Sequence, residues 1–157
     1  MEESKELIKK SVAKHGKSRN ALMPILQDIV ADKQYLEPLD IALVAEELDL
    51  SAADVYGTAT FYTFLDTVPR GKNVIRVCRT ISCYMSGKDE IISTLEKILN
   101  IKVGETTIDR QFTLLTANCM GWCHKGPVML INDEVYHSLT PEKTIEIIQQ
   151  YREKSKN

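Results

Sequence analysis

The four cysteines of the chain form two closely spaced pairs, and their type and spacing indicate metal chemistry. Cys78 and Cys83 have four residues between them, and Cys119 and Cys123 have three. Thiolates are soft ligands, and four of them supplied by two loops can enclose iron or zinc. The sequence therefore predicts a four-cysteine metal centre, with the rest of the chain as the frame that holds it.

The spacing of the pairs favours an iron–sulfur cluster over a zinc site without separating the two. Structural zinc sites commonly have two residues between paired cysteines, whereas the gaps here are four and three. Wider loops suit a cluster in which each pair holds one of two irons. Zinc remains a second hypothesis, in which the cysteines only join two loops and stabilise an assembly module.

Other cysteine chemistry is less well supported by the sequence. Two disulfides need an oxidising compartment, and a thioredoxin-like redox pair needs two residues between its cysteines. Cys123 is followed by His124, as in covalent haem sites, but the gap from Cys119 is one residue too long. A Rieske centre needs two histidine ligands, and His124 supplies only one.

Composition indicates an ordinary soluble globular protein. Hydrophobic residues make up 43% of the 157 residues, charged residues 27%, and the formal net charge is −2. Such a charge gives no strong attraction to nucleic acid or anionic lipid, and no apolar run approaches the roughly 20 residues of a membrane span. The first residues lack the pattern of a secretion signal. We therefore expect a cytoplasmic protein with neither a nucleic-acid partner nor direct membrane insertion.

Periodicity divides the chain into a helical segment, residues 1–68, and an α/β domain, residues 69–157. The first 57 residues have helical spacing throughout, whereas the later part alternates strands and helices. A strand predicted over residues 73–78 ends at Cys78, with Cys83 in the loop after it. The predicted domain is a small α/β sandwich. Its remaining elements are a helix over 86–99, a strand leading into Cys119, a hairpin at Asn132 and Asp133, and a last helix from Pro141. Residues 154–157 are predicted to be a solvated tail.

Three residues near the cysteines are candidates for a supporting role. Trp122 lies between two of the candidate ligands, where it could shield a cluster or contact a partner protein. Arg76 and Arg79 flank Cys78, where one of them could donate to a cluster sulfur. No glycine-rich phosphate loop and no activated nucleophile is evident, so we expect the chain itself to bind neither NAD nor flavin.

The chain as a whole resembles the thioredoxin-like [2Fe-2S] ferredoxin subunit of NADH dehydrogenases, the small iron–sulfur subunit of respiratory complex I. Related subunits occur in NAD(P)-linked and electron-bifurcating [FeFe]-hydrogenases and in NAD-dependent formate dehydrogenases. The resemblance extends over about residues 21–152 and rests on short motifs, namely ALMPILQ at 21–27, VYGTATFY at 55–62, PRGK at 69–72, GETT at 104–107, CMGWC at 119–123 and GPV at 126–128, together with the first cysteine pair.

This resemblance implies a fold, a cofactor and a partner. It implies an N-terminal helical segment followed by a thioredoxin-like α/β domain, with Cys78, Cys83, Cys119 and Cys123 holding one [2Fe-2S] cluster. The cluster would exchange single electrons with a flavin- and iron–sulfur-containing subunit that oxidises NAD(P)H or reduces NAD(P), with no turnover by this chain alone.

The parent complex is predicted to be a soluble NAD(P)-linked hydrogenase, with a further catalytic hydrogenase subunit. NADH:quinone oxidoreductase and formate dehydrogenase are the alternatives. His124 and Lys125 depart from the small or varied residues common in the family. Their charges could raise the cluster potential.

Overall fold

The computed structural model describes residues 2–154, without the side chain of Glu3. Its backbone divides into two compact units, one ending at Pro69 and one beginning at Arg70. Residues 155–157 of the predicted tail lie outside the described residues, and Lys154 is the last residue of a helix. No helix in the described part of the chain is long and apolar enough to cross a bilayer.

The first unit is built from helices. They are α1 Glu2–His15, α2 Leu22–Lys33, α3 Pro38–Leu48 and α4 Ala52–Phe61, with a short 3-10 turn at Arg19–Ala21 before α2. Their apolar faces pack into one core, which includes Ile8, Ile25, Leu26, Ile29, Leu36, Val44 and Val55. The helical segment predicted from the periodicity is therefore present, and it has a hydrophobic core of its own.

Two helix starts in this unit follow from capping chemistry. Ser51 accepts a hydrogen bond from the amide of Asp54 at 3.0 Å and so caps α4. α3 begins at Pro38, after the cap residue Glu37. Asp40 is the third helical residue, and its carboxylate accepts from the amide of Glu37 at 3.0 Å to close a capping box.

The helical spacing of the sequence ends at residue 57, but the helix itself continues past Thr58. α4 continues to Phe61, and Val55 and Ala59 are buried on its inner side. Burial of this face outweighs the weak helix preference of Thr58 and Thr60. Both hydroxyls donate to carbonyls one turn earlier, those of Asp54 and Tyr56.

The second unit is an α/β layer structure. Its elements are β1 Asn73–Cys78, α5 Ile81–Met85, α6 Lys88–Leu99, β2 Phe112–Ala117, β3 Met129–Ile131, β4 Glu134–Tyr136 and α7 Pro141–Lys154. The four strands form a sheet in the order β2-β1-β3-β4. β1 pairs with β2 in parallel and with β3 antiparallel, and β3 and β4 form the predicted hairpin.

One face of this sheet packs on α6 and α7. Alternate residues of β1 and β2, Ile75, Val77, Phe112 and Leu114, meet Ile91, Leu95 and Leu99 of α6 and Ile147 and Ile148 of α7. Alternation places Cys78 on the other face of β1 from Ile75 and Val77. The last residue of the central strand is thus held in place by a packed sheet.

The structure corrects the predicted environment of Cys83. This residue lies within α5, a five-residue helix, rather than in an open loop. Correspondingly, the helix predicted from residue 86 begins at Lys88, after a turn at Ser86 and Gly87. A single helical turn is too short to show an apolar period in the sequence, which is why the pattern did not indicate it.

Candidate metal centre

Parallel pairing of β1 and β2 brings the two cysteine loops to the same edge of the sheet. Cys78 ends β1 directly opposite Ala117, which ends β2 two residues before Cys119. The amide of Arg79 donates to the carbonyl of Ala117 at 2.9 Å, and the amide of Cys78 donates to the carbonyl of Val128 at 3.0 Å. These bonds fix where each loop leaves the sheet.

The first pair of cysteines is buried. Cys78 is 2% exposed and Cys83 is 1% exposed, and the two pack together with Val128. Met120 and Trp122, from the second cysteine loop, are partly buried against this cluster. The second loop therefore covers the first pair.

The second pair of cysteines is exposed to solvent. The sulfurs of Cys119 and Cys123 are 3.1 Å apart, and Cys123 begins a 3-10 turn that runs to Lys125. Two thiolates on one tetrahedral metal, with bonds of about 2.3 Å, have sulfurs about 3.8 Å apart. All four thiols are free, and those of the exposed pair need only a small side-chain rotation to reach that separation.

Polar groups lie close to three of the sulfurs. The hydroxyl of Thr80 lies 3.1 Å from the sulfur of Cys78, and the amide of Gly121 donates to the sulfur of Cys119 at 3.4 Å. Ser82, from α5, acts on the thiol of Cys123 in the other loop and opposes the rise of its pKa. Donors of this kind stabilise a sulfur that carries negative charge.

The same contacts shift the pKa values of the thiols in different directions. Burial raises the pKa of Cys78, but hydrogen bonds from the Thr80 hydroxyl and amide outweigh it, so the net pKa lies below its usual value. Burial and the neighbouring Cys78 raise the pKa of Cys83. The hydrogen bond with Cys119, followed by burial, raises the pKa of Cys123. Cys78 is thus the buried thiol best prepared to bind as a thiolate.

The second cysteine loop approaches the rest of the unit closely at Gly126 and is hydrogen-bonded to it at Lys125. A Cβ at Gly126 would lie 3.0 Å from Ser86 Oγ and 3.5 Å from Cys83 Sγ, so only glycine fits here without displacing a neighbour. The amide of Ser138 donates to the carbonyl of Lys125 at 2.7 Å.

Aromatic stacking also restrains this loop. The ring of Trp122 stacks on that of His137 at 5.3 Å and on that of His124 at 6.0 Å, and the ammonium of Lys125 lies 5.5 Å from the indole centroid. The indole therefore lies against the candidate centre and is held by its neighbours.

The donor set suits a two-iron cluster, because cysteine thiolates are the ligands that hold such clusters. The four thiols come from two loops, one pair from each, which suits a centre in which each pair holds one metal. Four cysteines are also a ligand set of structural zinc.

Of the residues that the sequence suggested as donors to a cluster sulfur, Arg76 and Arg79 differ in exposure. Arg76 is buried in β1, and Arg79 donates to the side chain of Asn118 at 3.0 Å. The sequence pattern did not indicate Thr80 and Ser82 as donors. The only indication in the sequence was the hydroxyl of Thr80, two residues after Cys78. Many strands are followed by a hydroxyl residue, so this spacing alone does not identify a donor.

Comparison with known proteins relates almost the whole chain to one family. Residues 8–152 match the family described as thioredoxin-like [2Fe-2S] ferredoxin. The chain is 36% identical over 148 residues to the E subunit of NADH-quinone oxidoreductase from Escherichia coli (strain K12), covering 94% of this chain and 89% of that protein. It is 43% identical over 112 residues to the protein of the same name from Buchnera aphidicola subsp. Acyrthosiphon pisum, covering 71% and 69%.

Among solved structures, the chain is similar to a NAD+-reducing [NiFe]-hydrogenase in the H2-reduced state. The TM-score is 0.71 with 20% sequence identity, over 81% of this chain and 22% of the hydrogenase chain. At this identity the likeness shows a shared fold, and it concerns about a fifth of the larger chain.

Proposed function

Because the chain belongs to the thioredoxin-like [2Fe-2S] ferredoxin family, we propose that it is an electron-transfer subunit whose four cysteines hold one cluster. Family membership confirms the predicted thioredoxin-like α/β fold and the predicted [2Fe-2S] cofactor. The ligands we assign are Cys78, Cys83, Cys119 and Cys123. The observation that carries the assignment is that these free thiols lie as two pairs at one sheet edge.

The protein's own part is to hold, shield and tune the centre. When bound, the cluster supplies one-electron redox chemistry. Cys78 and Cys83 anchor it inside the unit, and Trp122 and Met120 keep water from that side. Cys119 and Cys123 lie on the solvent-exposed side. A partner protein bound there would be a short electron-transfer distance from the cluster.

We propose that the partner is a flavin-containing subunit that oxidises NAD(P)H or reduces NAD(P). Two observations support this partner. The relatives described above are subunits of NADH-quinone oxidoreductases. In addition, α5 exposes Ile81, Tyr84 and Met85 beside a candidate ligand, and an apolar surface at the place where electrons leave suits a protein contact.

Two parent complexes are candidates. The soluble NAD(P)-linked hydrogenase predicted from the sequence remains a proposal, because the hydrogenase likeness rests on the fold alone. NADH:quinone oxidoreductase is the second, and the 36% and 43% identities to its E subunit favour it. In either case we propose a cytoplasmic location, because a reducing compartment keeps four free thiols available for iron.

The test of this function is reduction by NADH through the partner. The anaerobic protein is mixed with the proposed NAD(P)H-oxidising flavoprotein, and cluster reduction is followed by EPR and absorption after addition of NADH or NADPH. We expect reduction only when both the flavoprotein and a nicotinamide are present. Absence of cluster reduction in the assembled complex, with the flavin itself reduced, contradicts the proposal and favours a purely assembly role.

A further inference from the structure

The hydroxyl of Thr80 is directed at a candidate ligand in an unusual way. Thr80 is the cap residue of α5, where a threonine side chain ordinarily accepts a hydrogen bond from the helix. Here the side chain makes no cap bond, while the Thr80 carbonyl accepts from the amide of Tyr84 at 2.9 Å, as at an ordinary helix start. The hydroxyl lies 3.1 Å from the sulfur of Cys78.

Metal binding fixes the direction of this hydrogen bond. A free thiol can donate or accept, so either atom can be the donor in the metal-free protein. A sulfur that ligates a metal has lost its proton and can only accept. With Cys78 bound to iron, the Thr80 hydroxyl is therefore the donor.

Burial makes this bond hard to replace. Cys78 is 2% exposed, whereas Cys119 and Cys123 face solvent. Water can take the place of a lost donor at the exposed pair, but it has little access to Cys78. Removal of the hydroxyl next to Cys78 leaves the sulfur with fewer hydrogen-bond donors. Because the site is buried, water does not screen the resulting change in the electrostatic stabilisation of the sulfur.

We propose that Thr80 sets the reduction potential of the centre by donating its hydroxyl hydrogen bond to the sulfur of Cys78. Donors to a ligating sulfur favour the reduced state, which carries one more negative charge, and so raise the potential. The inference rests on the proposed role of Cys78 as a ligand. It adds a tuning residue that the cysteine pattern does not indicate.

The test is a redox titration of the full-length protein, followed by EPR, with three variants. Thr80→Val removes the hydroxyl and keeps the side-chain shape, and Thr80→Ser keeps the hydroxyl. Thr94→Val is the matched control, since the Thr94 hydroxyl donates to the Glu90 carbonyl within α6. We expect T80V to shift the reduced-to-oxidised ratio at a fixed potential about tenfold towards oxidised, or about 59 mV more negative for one electron, and T80S and T94V to stay near the wild-type value.

Two results overturn the inference. One is a T80V potential equal to that of the wild type, and the other is a T80S shift as large as that of T80V, which would make side-chain shape the cause. If T80V takes up no cluster, Thr80→Ala replaces it and is judged by the same two results. Failure of the ligand proposal has a different signature, because the wild type itself then shows no [2Fe-2S] signal.

Discussion

At the scale of single residues, the four candidate ligands divide into an inner pair and an outer pair. Cys78 and Cys83 lie in the interior of the second unit, and Cys119 and Cys123 lie at its surface. The sequence predicted all four residues and the strand end at Cys78, since cysteine spacing and strand alternation are both visible in it. It could not predict which pair is buried, because burial depends on how the second loop folds over the first.

This difference predicts the order in which the thiols of the metal-free protein react. Iodoacetamide needs access to the sulfur, so we expect Cys119 and Cys123 to be alkylated at least about tenfold faster than Cys78 and Cys83 in the folded state. Mass spectrometry of peptides after timed labelling measures the four rates, and labelling in denaturant, where all four become equal, is the control. Faster labelling of the inner pair in the folded protein contradicts the described arrangement.

At the scale of elements, short segments decide the chemistry and are the hardest to foresee. α6 and α7 are long and periodic, and the sequence places the start of each within two residues. α5 has five residues, too few for a period, yet it carries Cys83 and the donor Ser82. In the first unit, burial of Val55 and Ala59 extends α4 through a stretch that local preference alone would not make helical.

The exposed face of α5 predicts how a partner recognises the centre. Met85 is 82% exposed, and we expect Met85→Glu to weaken binding of the flavoprotein about tenfold, since a charge then has to be desolvated in an apolar contact. Ile108→Glu is the matched control, because this exposed residue precedes β2 and so lies towards the sheet edge opposite the cysteines. Calorimetry with the purified flavoprotein measures both affinities.

The result that contradicts this prediction is a loss of affinity in I108E with none in M85E. The partner then binds the opposite edge of the sheet, and the exposed apolar side chains of α5 have another role.

In the first unit, the contacts that Asp28 makes between α1 and α2 predict that the stability of the fold depends on pH. Its carboxylate accepts from Ser11 at 2.7 Å, lies 2.9 Å from His15 Nε2 and is 3.2 Å from the Lys14 ammonium. The hydrogen bond from Ser11 lowers the pKa of Asp28 below the usual 3.8; burial opposes it, and His15 and Lys14 add to the lowering. A carboxylate with a lowered folded-state pKa stabilises the fold above the unfolded pKa.

We therefore expect Asp28→Asn to lower the free energy of unfolding by about 1 kcal/mol at neutral pH. This difference from the wild type should shrink as the pH falls below 3.8, the ordinary pKa of an aspartate in the unfolded chain, and should vanish below the lowered pKa of the folded state. Urea unfolding followed by circular dichroism measures it, and Asp32→Asn, which changes an exposed carboxylate one turn further along the same helix, is the control. A difference that persists unchanged at low pH assigns the effect to packing instead of charge.

At the scale of the whole molecule, the chain consists of two compact units, and the candidate ligands all belong to the second. The first unit has its own helical core, and the second has a sheet packed on α6 and α7. The sequence predicted a division into residues 1–68 and 69–157 from the change in periodicity. That the two parts are independent domains stays a prediction.

We expect a fragment of residues 70–157 to fold and to hold the cluster without the helical unit. Its sheet core and all four cysteines lie within this range. Circular dichroism and the EPR spectrum after reconstitution, compared with those of the full chain, measure both properties. A fragment that folds but gives an altered EPR spectrum would indicate that the first unit shapes the centre, and one that does not fold would refute independent folding.

The central claim is that the four cysteines together hold one [2Fe-2S] cluster. Its most direct test is the iron, acid-labile sulfide and zinc content of the anaerobically purified full chain, with EPR spectra before and after dithionite. We predict two irons and two sulfides per chain, as a [2Fe-2S] cluster requires, and a rhombic S = 1/2 signal that appears only on reduction. One zinc per chain, with neither sulfide nor colour even after reconstitution with iron and sulfide, would contradict the account and leave a structural module.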